Sequence, residues 1–109
     1  MTLNEYQDAA TKTAVYPDLG KNIIYPTLGL CEEAGELAGK LSKMIRDDAG
    51  VLTEDRRSLM VKELGDVLWF VSQVARELGL TLDEVAQINV DKLASRAQRD
   101  VLHGDGDLR

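Results

Sequence analysis

The stretch LMVKELGDVLWFVSQVAREL, residues 59–78, decides the fold. At ~100° per residue, Met60, Leu64, Val67, Leu68, Val71, Val74, Ala75 and Leu78 gather into one broad helical stripe, which Leu59 and Phe70 widen. Trp69 lies outside that stripe, so the helix is apolar over most of its circumference. Such a helix is surrounded on several sides, and in a chain of 109 residues a second subunit is expected to supply the missing one. Glu63 falls inside the apolar arc, flanked by Phe70 and Val74, with Asp66 at its edge. A buried carboxylate is costly unless protonated, paired or bound to metal. Two kinds of partner suit Glu63: a metal ion, or Lys40, Lys43 or Arg46 in an ion pair.

Outward from this helix the chain reads as one all-α domain, residues 1–109, with about four main helices and no strand to rival them. Thr53 is an expected N-cap for the helix just described, and Gly79 its stop. A second long helix precedes it, from near Pro26 to Asp48, and Gly50 breaks the chain between the two. Thr81 and Glu84 have capping-box spacing and open a last helix reaching about Val101. The first helix spans about Thr2 to Ala14, with Leu3, Tyr6, Ala10 and Thr13 as a weak inner stripe. Residues 15–26 are mostly loop, and the tail HGDGDLR, 103–109, is expected to be flexible. These helices form an antiparallel bundle completed by oligomerisation.

Glu33 and Glu36 in CEEAGEL repeat the i, i+3 spacing of Glu63 and Asp66, so each pair leaves one helical face a turn apart. Glu32 adds a fifth acid. Like charges so placed repel. On their helix Leu30, Leu37, Leu41 and Met44 lie on one side, while Glu32 and Glu36 fall nearly opposite with Glu33 at the border. Taken alone, that is also the pattern of a solvated face. Facing the two helices as an antiparallel hairpin brings Glu33, Glu36, Glu63 and Asp66 around one small volume. Oxygen ligands without His or Cys suit a hard cation, Mg²⁺ or Mn²⁺. Iron-binding carboxylate bundles use Glu-x-x-His, and neither acidic pair carries a histidine, which favours magnesium-assisted phosphate chemistry. Gly35 and Gly39 lie away from the main stripe, where a segment or ligand could approach.

A net charge of −6 argues against nonspecific binding to nucleic acid or an anionic membrane. The single cysteine, Cys31, excludes an internal disulfide and reads as a small packed group. His103, the one histidine, reads as exposed. With no membrane-length apolar run and no signal-peptide pattern, a cytoplasmic protein is expected.

The pattern EExxE followed by ExxD, at Glu32, Glu33, Glu36, Glu63 and Asp66, resembles the all-α nucleoside triphosphate pyrophosphohydrolase superfamily in its MazG-like branch. YPTLGLCEEAGELAGKLSK, VKELGDVLWFVSQVA and NVDKLASR extend the likeness from Tyr25 to Arg96. The resemblance implies cleavage of a nucleoside triphosphate between its α- and β-phosphates. It implies Glu33, Glu36, Glu63 and Asp66 as magnesium ligands, and Glu32 as the group that orients or deprotonates the attacking water. Asn89, Lys92 and Arg96 would face phosphates; their spacing puts them on one side of the last helix, although Lys92 and Arg96 also suit solvated cations of its later turns. Tyr16 and Tyr25 are candidates for stacking on the base, or for covering the core edge. A homodimer or homotetramer is expected. The competing functions are a non-enzymatic helical oligomerisation or regulatory module with a metal or nucleotide site, and a hydrolase acting on guanosine tetraphosphate.

Overall fold

In a computed structural model describing residues 1–109, four helices account for the regular structure: α1 Leu3–Thr11, α2 Ile24–Asp47, α3 Glu54–Glu77 and α4 Leu82–Gln98. The expected all-α class is the observed one.

Helices α2 and α3 form an antiparallel hairpin. Gly29 of α2 meets Phe70, Lys40 meets Glu63, and Asp48 just past α2 meets Arg56 in the first turn of α3. The connection is tight because Ala49 and Gly50 take positive φ, 55° and 74°, and Gly50 N–H returns to Met44 O at 3.2 Å. Asp48 then accepts from Arg56 Nε at 2.8 Å and clamps the bend. Gly29 is the glycine that close packing requires: a Cβ there would lie 2.2 Å from Phe70 Cε1. Gly35 and Gly39 have nothing of their own chain nearby, so they face open space rather than a packed segment.

Helix ends follow capping chemistry with three departures from expectation. Thr53 caps α3 by accepting from Arg56 N, and Gly79, at φ 75°, closes it. Leu80 N–H bonds Ala75 O at 2.9 Å and Gly79 N–H bonds Arg76 O at 2.9 Å, the paired bonds of a Schellman motif. Thr81 accepts from Glu84 N at 3.2 Å, but the return bond of a capping box is not made and Glu84 stays exposed. The reciprocal box is instead at α1, between Thr2 and Glu5. Helix α1 ends at Thr11 rather than Ala14, because Lys12, Thr13 and Ala14 turn their N–H groups to carbonyls three residues back. Helix α4 ends at Gln98 rather than Val101, where Asp100 takes positive φ and Val101 N–H returns to Arg96 O at 2.9 Å.

Polar side chains fasten α1 to the α3–α4 corner. Buried Gln7 donates to Ser72 O and Leu80 O, both at 3.1 Å, and accepts from Leu82 N at 3.0 Å. Ser72 and Gln73 are fully buried beside it; Ser72 Oγ donates to Trp69 O, and Gln73 Nε2 donates to Ser72 Oγ at 3.2 Å. Elsewhere burial is sparse. Leu64 is 55% and Leu68 40% exposed in the middle of α3. The chain exposes 7664 Å², whereas a compact monomer of this mass exposes about 6,000 Å². Its radius of gyration is 16.8 Å, against about 13 Å for a compact 100-residue domain.

Candidate active site

The α2–α3 hairpin brings together three of the four acids expected to share one volume, and leaves Glu36 outside. Carboxylate oxygens of Glu33, Glu63 and Asp66 converge within 4.8 Å of one another. Glu33 enters from α2; Glu63 and Asp66 enter from successive turns of α3. Glu33 and Glu63 are half-buried and Asp66 is exposed, which leaves the group open on one side. Burial pushes the Glu33 carboxyl above the usual range, and repulsion from Asp66, Glu63, Glu32 and Glu36 adds to it. Lys40 Nζ lies 3.0 Å from Glu63, so the ion pair weighed from sequence exists alongside the acid group, not in place of it. One ammonium against three converging carboxylates leaves an excess of negative charge. The donor set is all oxygen, and it fits a hard divalent cation.

Glu36 and Glu32 stand on α2 with exposed side chains, outside the tight group. They act on Glu33 through their charge. Tyr6 of α1 also faces this turn: burial raises its phenol, and the Asp66 charge adds to the rise.

An aromatic group lies beyond Asp66. Tyr16 and Tyr25 stack with centroids 5.1 Å apart, Tyr25 lies 6.4 Å from Phe70, and Trp69 meets Phe70 edge-on at 4.9 Å. Tyr16 is buried and its hydroxyl donates to Glu77, so of the two tyrosines Tyr25 offers the exposed ring. Burial, and then the bond to Glu77, pushes the Tyr16 phenol up to about 12. Glu77 also accepts from Gly20 N at 2.9 Å and Asn22 N at 3.2 Å, and thereby fixes the loop that leads into Tyr25 at the start of α2. Burial works against ionisation of Glu77, yet these three bonds together hold its carboxyl below the usual range.

Asn89, Lys92 and Arg96 occupy α4, which packs on α1 and the end of α3 and makes no close contact with α2. Asn89 is exposed, Lys92 half-buried and Arg96 buried, so Arg96 is not a solvated cation. Sequence reading also passed over Gln7, Glu77 and Gly29. Their importance comes from partners 41 to 75 residues away, and no local spacing signals it.

Taken together, a helical hairpin with converging carboxylates and an adjacent aromatic group defines a class of all-α carboxylate site whose donors fit a divalent cation. Comparison narrows this. Residues 26–100 match the model of the MazG nucleotide pyrophosphohydrolase domain, and the chain belongs to that family. It is also 45% identical over 114 residues to the Gene 37 protein of Mycobacterium phage L5, with both chains covered in full. No solved structure matches it significantly. No helix is long and apolar enough to cross a membrane.

Proposed function

We propose that the protein is a Mg²⁺-dependent hydrolase that cleaves nucleoside triphosphates between the α- and β-phosphates, giving a monophosphate and pyrophosphate. The observation that carries this reading is the convergence of Glu33, Glu63 and Asp66 within 4.8 Å. These three would hold the cation, with Glu36 a turn away as a fourth ligand. Bound there, Mg²⁺ (or Mn²⁺) supplies positive charge against the phosphate oxygens and the leaving pyrophosphate. Glu32, exposed beside Glu33, accepts a proton from the attacking water. Tyr25 stacks on the base, a contact of ~1–3 kcal/mol, while Tyr16 backs its ring. Lys92, with exposed Asn89 a turn earlier on α4, faces the phosphates, while buried Arg96 supports this side of the helix through Asp107. A role in clearing unwanted nucleotides from the pool accords with this chemistry.

We infer that the working form is a homodimer or homotetramer. The support is the area left exposed and the apolar groove on α3 lined by Val61, Leu64, Val67, Leu68 and Val71. Because α4 and α2 of one chain do not touch, a second copy is the natural source of α4 cations at the acid turn. Light scattering that gives a monomer at micromolar concentration would refute this.

The activity is tested by incubating the protein with Mg²⁺ and a nucleotide panel that includes guanosine tetraphosphate, and identifying products. Monophosphate and pyrophosphate are expected from a triphosphate; a diphosphate with orthophosphate contradicts the assignment. The Lys40–Glu63 pair favours a second reading, in which the acids are structural and the chain is a helical oligomerisation module. Absence of turnover across the panel, with oligomer size intact, would select it.

A further inference from the structure

The last residues of the chain fold back onto α4. Arg109 donates to the carbonyls of Val101 at 3.2 Å, Leu102 at 3.1 Å and Gly106, while Arg99 donates to Arg109 O at 2.8 Å. The loop so closed sets Asp107 over the later turns of the helix. Its Oδ1 accepts from Arg96 Nη2 at 3.1 Å and lies 3.3 Å from Lys92 Nζ, and its main-chain oxygen accepts from Arg96 Nη2 at 3.1 Å. The two cations are not alike. Arg96 is 4% exposed, its Nε is buried without a partner, and a guanidinium in that position needs a nearby anion. The Lys92 side chain is 39% exposed, and its ammonium has three donors of which Asp107 takes one.

We infer that Asp107 is a positioning residue for Lys92: anchored by Arg96 and by the loop that Arg109 closes, its carboxylate holds the ammonium in one orientation, with the remaining donors free for phosphate oxygens. A free lysine has much rotamer freedom to lose when it grips a phosphate, and fixing it beforehand removes that loss from binding. Hydrogen bonds from Arg96 and Lys92 hold the Asp107 carboxyl below the usual range, so the anchor is charged at neutral pH. The inference rests on the proposed phosphate role of Lys92.

The test compares wild type, Asp107→Asn, Lys92→Gln and the double variant in the full-length protein. KM for a Mg²⁺–nucleotide is measured, together with the Kd of a non-hydrolysable α,β-methylene analogue by calorimetry. Asp107→Asn is expected to raise both by ~3–5-fold, the size of a lost solvent-exposed ion pair, with kcat nearly unchanged. Within the Lys92→Gln background it should add nothing, and Asp107→Glu should recover part of the loss. If Lys92→Gln itself leaves KM and Kd unchanged, the phosphate reading of Lys92 fails. If Lys92→Gln weakens binding while Asp107→Asn is neutral or tightens it, the positioning inference alone fails. An equal Asp107→Asn effect in both backgrounds marks a merely structural residue and also overturns it.

Discussion

Helix α3 carries two polar regions two turns apart, and they differ in one respect. At its later end Gln7, Ser72 and Gln73 are buried and answer one another: Gln7 alone makes three bonds across two junctions. About two turns earlier Glu63 and Asp66 meet Glu33, and a single lysine faces three carboxylates. The first region is closed by the protein's own groups. The second is left short of positive charge. Burial of polar atoms therefore does not by itself mark a candidate site; converging charges that the fold leaves unbalanced do.

Substitutions on either side break or sharpen this contrast. Glu63→Gln should show the largest effect, a loss of turnover beyond the ~10–100-fold typical of disturbing an outer-shell partner of a metal. Helix content by circular dichroism should persist, and unchanged turnover would remove Glu63 from the site. Gln7→Ala should do the reverse. It leaves Leu82 N–H buried without a partner, at a cost of about 1–3 kcal/mol, or roughly 5–20 °C in Tm, while Mg²⁺ affinity is retained. Gly29→Ala tests the seam that joins the regions: the added methyl collides with Phe70, and overpacking costs about 1–3 kcal/mol in a chemical-denaturation curve.

The smallest effect concerns acid. Glu77 has a folded-state pKa below its unfolded value, so its contribution to stability is present above the ordinary carboxylate range, about 4.3. That contribution is lost as pH falls through the folded value. Glu77→Gln should flatten the acid limb of a Tm–pH profile and loosen the loop around Tyr16. An unaltered acid limb would show that the Tyr16, Gly20 and Asn22 bonds are not coupled to its ionisation.

Much of this architecture is local and was therefore readable. The stripe of α3, the Thr53 cap, the Gly79 stop and the antiparallel pairing of acidic turns all follow from spacing along one or two helices. The converging trio was among the expected ligands, while Glu36, expected with them, stands outside it with Glu32, on the side of α2 opposite its apolar stripe. What spacing does not encode is who answers whom across the fold. By local spacing Gln7 is one polar residue beside the weak stripe of the first helix, Glu77 one more acid near a helix end, and Gly29 a helix-weakening glycine. Each acquires its role from a distant partner. Tyr16 shows the same limit from the other side, since only its bond to Glu77 separates a buried support from an exposed stacking ring.

The most direct measurement is a calorimetric Mg²⁺ titration of wild type and Asp66→Asn, each with a non-hydrolysable nucleotide analogue present. Saturable uptake by wild type, weakened at lower pH as protons compete for Glu33, and lost or much reduced in the variant, is the predicted result. Equal uptake by both proteins, or none by either, would contradict a shared cation site at the acid turn.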